Sequence, residues 1–587
     1  MSNPTTNGPG TELPTSTPTL SPPPPPNQDQ LLQIFAIRAQ NDYDAMTLYA
    51  AIIGSVIGMF IVFKVIDHLG RKDSLRQYSA AVRSPFSLLV RLLMLKVRGA
   101  PSLGYVILFA TYVGLNVGFM FVYIDDSVLS LHVIIAARTG WLAVANICLT
   151  VFLSLKNTPL GFLTGWSYER LNSLHRVSGM TSLILVIIHG VSYSSFFLDQ
   201  QNSARLRVKE EIFGIVAGFT ILMVVAVALT LQRRVYELFY FLHIFFFVVS
   251  MIFICLHHPT AGERVIIAIG VATGIWLLDR VVRASRLVYH GINNTATLQP
   301  LPNGGTRVIL HKRLVGAKSG EHAFLWIPGI RLLQTHPFTI TCTEPLEFVI
   351  ASRDGFTRDL HQYAAKNSGA IMKASVEGPY GQVPDPSQYD KVLIFAGGSG
   401  GSFAFGSALR LLQSLEGSVN KDVTIVWTMR DSTFLEWFSP HLNNVANAQG
   451  FKVSIHITGQ TELRKLPRSQ EVQESSNSST GALVLEDLAD ETSNSDLSHQ
   501  KTSQQHLAHG LPVHYGRPMV HDLVAQAVDA RHSEPHEAFR LMWREDQALR
   551  HFDLVNPSIG MDETMFTVWS HERAKMTNAS CFICQHY

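Results

Sequence analysis

His175-Arg-Val-Ser-Gly-Met-Thr-Ser-Leu-Ile-Leu-Val-Ile-Ile-His189 and His243-Ile-Phe-Phe-Phe-Val-Val-Ser-Met-Ile-Phe-Ile-Cys-Leu-His257 are two apolar runs, each bounded by histidines fourteen residues apart. At about 100° per residue, fourteen steps fall about 40° short of four turns, so each pair lies on one helix face, about 21 Å apart. Two such helices side by side stack two bis-imidazole sites, one near each face of a hydrocarbon layer about 30 Å thick. A single membrane histidine is as readily a helix-packing hydrogen bonder, and polar groups there are expensive. Four at matched spacing, with no carboxylate beside His189 or His243, point to ligands. Haem iron between His175 and His243, and again between His189 and His257, would satisfy all four imidazoles; with both axial positions filled, such iron transfers electrons and does not readily bind oxygen. His258 neighbours His257 but points about 100° away, which favours His257.

Composition agrees with a membrane protein carrying a soluble part: 587 residues, 47% hydrophobic and only 16% charged. The formal charge of +2 is small, and no nucleic-acid partner is expected. Five cysteines (Cys148, Cys255, Cys342, Cys581, Cys584) do not make a secreted disulfide framework, and two lie inside apolar runs. Residues 1–30, rich in Pro, Thr and Ser, read as a disordered leader, with no cleaved signal peptide. Seven spans in contact with membrane lipid are expected at roughly 47–66, 103–124, 132–155, 174–197, 212–231, 236–256 and 264–281.

Charge orients them. Arg71, Lys72, Arg76, Arg83, Arg91, Lys96 and Arg98 crowd the first connection, whereas the second has Asp125 and Asp126. Lys156, Arg170, Arg233, Arg234, Arg280, Arg283 and Arg286 mark later cytoplasmic ends, and only the Arg205, Arg207 and Lys209 loop runs against the pattern. The N-terminus is thus expected outside and the C-terminus in the cytoplasm, with His175 and His243 on the inner side.

After residue 290 the pattern becomes that of soluble strands and helices. Thr306 to His311, Phe324 to Ile327 and Leu346 to Ala351 suggest a small β-barrel. From Lys391 a buried strand meets a glycine turn, Gly397-Gly398-Ser-Gly400-Gly401, and then a helix; strands at Val423 to Thr428 and Lys452 to Ile457 continue an α/β domain. Such a turn lets backbone approach a pyrophosphate, with the helix N-terminal amides facing its charge. Arg430, after the second strand, is where a cation could meet a 2′-phosphate, favouring NADPH over NADH, and equally fits a solvated surface position. Residues 461–510, rich in Ser, Gln, Glu and Thr, read as a disordered insertion. His336-Pro337-Phe338-Thr339 and Glu377-Gly378-Pro-Tyr-Gly381, each read alone, are turns at strand ends.

The ordered combination of these histidines, His-Pro-Phe-Thr, Glu-Gly-Pro-Tyr-Gly and Gly-Gly-Ser-Gly-Gly resembles the fungal ferric-chelate reductases, within the superfamily they share with the NADPH oxidases. The resemblance runs over about residues 45–530. It implies a disordered extracellular leader (1–45), a seven-helix transmembrane haem domain (46–290), a ferredoxin reductase-like FAD-binding β-barrel (291–388), an α/β NADPH-binding domain (389–530) and an atypical tail (531–587). By that resemblance the His336, Pro337, Phe338 and Thr339 motif holds the flavin ring, Gly378 and Gly381 border the FAD pyrophosphate, and Gly397, Gly398, Gly400 and Gly401 cradle NADPH. The cofactors would be FAD, NADPH and two haem b groups on His175, His189, His243 and His257.

Flavin is needed because NADPH delivers two electrons as a hydride while haem iron takes one at a time. The expected acceptor is an external ferric chelate, then a cupric one, in a metal-uptake role at the plasma membrane or the vacuolar membrane, where a metal permease or oxidase is a natural partner. Oxygen reduction to superoxide, or a haem-binding membrane subunit without NADPH turnover, are the alternatives. The chain departs from the family in lacking any Cys-Gly-Pro. Its tail is expected to lack the last strand beside the nicotinamide, so hydride transfer would be slow. Cys581 and Cys584 read as incidental to that tail.

Overall fold

The computed structural model describes residues 28–69, 102–124, 130–257, 263–381, 391–414, 421–459, 507–508, 511–520, 540–542 and 564–569, with short pieces between some of them. The leader to residue 27, most of the 461–510 insertion, the seven basic residues of the first connection, Asp125 with Asp126, His258, and Cys581 with Cys584 lie outside the described residues.

The apolar runs fold as helices α1 (Gln28–Leu69), α2 (Leu103–Phe119), α3 (Leu131–Leu153), α4 (Tyr168–Asp199), α5 (Lys209–Leu231), α6 (Tyr236–His257) and α7 (Glu263–Gly291). Among the described residues six helices, within α1 and α3 to α7, are long and apolar enough to cross a membrane. α2 is apolar but has 17 residues, about 25 Å of helix against a hydrocarbon layer of about 30 Å. The seven spans expected are therefore six long helices and one shorter one here.

Outward faces are apolar, with Phe219 60%, Phe241 66% and Ile267 63% exposed, as lipid contact requires. Inward, α3 packs along α4 and α5 along α6, around a core that includes Ile147, Leu183, Ala217, Ile221, Met251 and Ile269. Buried polar pairs also join these helices: Arg138 donates to Asp42 at 2.7 Å, and Tyr49 to Asn146 at 3.1 Å.

The next segment forms two antiparallel sheets. β1 (Thr295–Leu301), β2 (Gly305–Leu310), β5 (Cys342–Thr343), β6 (Leu346–Ala351) and β7 (Ile371–Lys373) order as β5-β6-β2-β1-β7; β3 (His322–Trp326), β4 (His336–Thr339) and β8 (Ser375–Tyr380) order as β4-β3-β8. Alternation places Leu298, Val308, Leu325, Ile340 and Phe348 in the core between them, closed by α8 (Phe356–Lys366) through Phe356 and Leu360.

β9 (Lys391–Gly397), β10 (Asp422–Met429), β11 (Phe451–Ile457), β12 (Leu507–Ala508), β13 (Leu511–Tyr515), β14 (Arg540–Met542) and β15 (Thr564–Trp569) form one sheet in the order β12-β13-β11-β10-β9-β15-β14. Every pair except β12 with β13 is parallel. Helices α9 (Gly401–Ser414) and α10 (Ser439–Ala446) cover it, and Phe405, Trp427 and Phe438 meet with ring centres 5.2 to 5.4 Å apart.

Residues 28–45, expected within the disordered leader, belong to α1, where Asp42 is buried against Arg138; a second expectation is overturned at the other end of the chain. The tail does supply a strand beside β9: β15 pairs with it from Thr564↔Lys391 to Trp569↔Ala396, and β14 pairs with β15. Thr-Met-Phe-Thr-Val-Trp is rich in β-branched and aromatic residues. It closes an edge of β9 that would otherwise stand open.

The barrel and the nucleotide sheet are joined through Trp437, 1% exposed, whose ring Nε1–H donates to the Pro302 carbonyl at 2.9 Å while Arg307 donates to its carbonyl at 2.8 Å. Truncating so buried a ring costs about 3–5 kcal/mol. Trp437→Ala is therefore expected to lower the first thermal unfolding transition of the solubilised protein by several degrees; an unchanged transition would show that Trp437 does not join the two units.

Candidate redox site

The four histidines come together in the pairs their spacing implies. His175 on α4 and His243 on α6 have ring centres 6.4 Å apart, and His189 and His257 6.3 Å apart. Each gap has room for one metal ion bonded at about 2 Å to a nitrogen of each ring.

What fixes the rings lies on the neighbouring helices. His175 Nδ1 faces the Thr150 carbonyl at 2.9 Å and His189 Nδ1 the Ala136 carbonyl at 2.7 Å, both on α3. On α5, His243 Nδ1 faces the Val224 carbonyl at 3.0 Å and His257 Nδ1 the Glu210 carbonyl at 2.8 Å. A carbonyl accepts only, so each Nδ1 is the donor, and a ligand bond would be made through Nε2. The acceptors are themselves fourteen residues apart on each helix, Ala136 to Thr150 and Glu210 to Val224.

Two glycines make the outer pair possible. A Cβ at Gly140 would lie 2.7 Å from His189 Nδ1, and one at Gly214 would lie 2.6 Å from the His257 ring. Each stands four residues after the accepting carbonyl, where a side chain would cover it. Tyr193, one turn beyond His189, packs edge-on against that ring at 5.2 Å. The donor set, four imidazoles in two facing pairs, fits haem iron.

The His336–Thr339 motif lies on β4, beside β3: His322 pairs with Thr339 and Ala323 with Phe338. β3 also pairs with β8, whose Glu377-Gly378-Pro-Tyr380 turn brings Gly378 and Gly381 to the same sheet. His336 stacks on Phe356 at 4.7 Å, Phe338 is buried, and Pro337 and Thr339 are partly exposed. Burial pushes the His336 imidazole down to about 4, so it is uncharged near pH 7.

At the nucleotide turn, Gly397 ends β9, Gly398 and Gly400 bound a short 3-10 turn, and Gly401 opens α9. The Trp427 ring Nε1–H donates to the Gly398 carbonyl at 2.9 Å and holds the turn against β10. Arg430 is exposed just past β10, two residues beyond Thr428, which pairs with Gly397. That is the carboxyl end of the parallel sheet, where ligands of such folds bind. In the same row, Thr428 pairs with His456 and His456 with His514, and the two imidazoles stack at 5.0 Å.

With this geometry in place, three family models match consecutive parts of the chain: the ferric reductase like transmembrane component over residues 139–254, the FAD-binding domain over 294–384, and the ferric reductase NAD binding domain over 389–538. In all three parts the chain is similar to the ferric reductases. It is 28% identical over 414 residues to ferric reductase transmembrane component 3 of Saccharomyces cerevisiae, covering 67% of this chain and 55% of that one. To ferric/cupric reductase transmembrane component 1 of Candida albicans it is 25% identical over 430 residues, covering 70% and 54%. The chain thus spans about half the length of the curated relatives it matches. The matched domains run in the order transmembrane component, FAD-binding domain and NAD-binding domain.

Sequence reasoning missed Gly140, Gly214 and the two stacked histidines of the nucleotide domain. Glycines inside apolar helices were the available signal for the first two; nothing local marked the others.

If each facing pair holds a haem, Gly140→Ala or Gly214→Ala should displace one ring of the His189–His257 pair and leave the His175–His243 pair intact, so bound haem falls to about half that of the unaltered protein. Unchanged haem content in both variants would contradict the placement of these rings. The second expectation concerns pH. Burial, then the neighbouring His514, push His456 down to about 4, below its ordinary 6.5. The unfolded chain therefore binds the extra proton, and the stability this gives is complete above about pH 6.5 and lost as pH falls through about 4. His456→Gln should flatten the fall in unfolding temperature between pH 6.5 and about 4.5; an equal slope in both proteins would remove His456 from the account.

Proposed function

We propose that this chain carries electrons across a membrane, from cytosolic NADPH to ferric chelates on the other side, with cupric chelates as second acceptors. The observation that carries the proposal is the pair of facing imidazole sets, each ring tied back through Nδ1 to a main-chain carbonyl of a neighbouring helix. When bound, FAD would take the hydride of NADPH and pass its two electrons singly through the two haems, so that NADPH and two ferric ions become NADP⁺, a proton and two ferrous ions.

The chain's own residues set the order of sites. His175 and His243 lie on the side of the helix ends that carry Lys156, Arg170, Arg233, Arg234 and Arg283 and lead into the barrel; His189 and His257 lie at the opposite side. On the positive-inside rule the barrel end is cytoplasmic and the N-terminus external. The assigned division is 46–290 for the membrane part, 291–388 for the barrel and 389–530 for the nucleotide domain, to which β14 and β15 now add. The His336, Pro337, Phe338 and Thr339 strand would hold the flavin ring, Gly378 and Gly381 its pyrophosphate, and Gly397, Gly398, Gly400 and Gly401 NADPH. A role in iron or copper uptake at the plasma membrane, beside a permease or oxidase, follows from that orientation.

His189→Ala should abolish chelate reduction at the surface of intact cells while NADPH still reduces one haem per chain in membranes. Surface reduction at the unaltered rate would remove the outer pair from the path. If Arg430 meets the 2′-phosphate, Arg430→Ala should raise KM for NADPH by roughly tenfold or more and leave NADH use unchanged, because a charge-assisted contact is worth about 1.5–3 kcal/mol. Equal losses with both nucleotides would point to a structural role.

A further inference from the structure

Where the barrel meets the membrane helices, one ion pair is almost wholly removed from water. Arg283, on α7, grips Glu377 on β8 with two hydrogen bonds, 2.5 and 3.0 Å long, and the two side chains are 14% and 4% exposed. The Tyr380 hydroxyl donates a third to the same carboxylate at 2.5 Å. A bidentate pair of this kind fixes orientation as well as distance, and removing one partner leaves an uncompensated buried charge.

The surroundings place this pair between two cofactor sites. Glu377 directly precedes the Gly378 to Gly381 turn, on the sheet that also carries the His336–Thr339 strand. On the membrane side, Lys156 Nζ lies 3.2 Å from the centre of the Phe324 ring on β3, and Tyr168 packs on Tyr380 at 5.8 Å and His322 at 6.0 Å. Ser375 on β8 donates to the Leu287 carbonyl of α7 at 2.5 Å. Tyr168 opens α4 seven residues before His175, about 10 Å along the axis. Lys156 follows α3 six residues after Thr150, whose carbonyl holds the His175 ring. The barrel is thus docked on the ends of the helices that set the inner histidine pair.

We propose that Arg283 and Glu377 are positioning residues for electron transfer from the flavin barrel to the inner histidine pair: they touch no reacting atom, and they lock strand β8 onto α7 so that the two sites keep one separation. The proposal rests on the electron-transfer function above. Glu377 is charged for this role, because its hydrogen bonds to Arg283 and the nearby Lys156 outweigh the upward push of burial and hold the carboxyl below its ordinary range.

The test is anaerobic mixing of the full-length protein, loaded with FAD and haem, with NADPH, following flavin bleaching and haem reduction separately. In Arg283→Gln, flavin reduction should stay within about twofold of the unaltered rate while haem reduction slows about tenfold or more, as expected when a separation is loosened by about 1 Å or less. Arg283→Lys, which keeps the charge but not the fork, should fall between. If the single variant does not accumulate because Glu377 is left unpaired, the Arg283→Gln, Glu377→Gln double variant removes both charges of the pair and should show the same split. Haem reduction at the unaltered rate overturns the proposal. So does a parallel fall in flavin reduction with loss of FAD, which would make the pair part of FAD binding alone. Failure of NADPH to reduce haem in the unaltered protein would instead overturn the functional reading beneath it.

Discussion

The hydrogen bond from an imidazole Nδ1–H to the carbonyl of a neighbouring helix, made four times, is the constraint on which the membrane half depends. An imidazole in an apolar layer needs a partner for its one N–H. Giving it a main-chain carbonyl satisfies that need, settles the tautomer and turns Nε2 towards the partner helix. It also couples the helices. Because the acceptors on α3 and α5 repeat at the spacing of the histidines on α4 and α6, α3 must run beside α4 in one register, and α5 beside α6 likewise. Gly140 and Gly214 are where that register brings ring against helix backbone.

How much of this was legible depends on whether the signal was local. Fourteen residues is nearly four turns, so the histidine faces and their pairing could be read from the chain, as could the glycine turn after β9. The acceptor carbonyls could not, since main chain has no sequence identity. Nor could Arg283 with Glu377, which are 94 residues apart and meet only when the barrel docks. The length of α2 was overread because Met120, Phe121 and Val122 continue the apolar run after the helix ends at Phe119.

The tail shows the opposite failing. Searching for Cys-Gly-Pro hid a plain strand signal at Thr564 to Trp569, which the edge of β9 accepts in parallel register. The end of that strand, Trp569, pairs with Ala396, one residue before the glycine turn. The backbone position beside the glycine turn is therefore filled, by a sequence other than the Cys-Gly-Pro strand of the family pattern.

Both halves meet at the inner histidine pair. Its rings are held from α3 and α5, and the barrel docks through residues just beyond α3, at the start of α4 and near the end of α7. The most direct measurement of the account is haem stoichiometry and spin state in the purified, unaltered chain, by pyridine haemochrome titration with low-temperature electron paramagnetic resonance. Two haems per chain, both low-spin with two imidazole ligands, is the result the paired rings require. One haem per chain, or a high-spin iron with an open axial position, would contradict it.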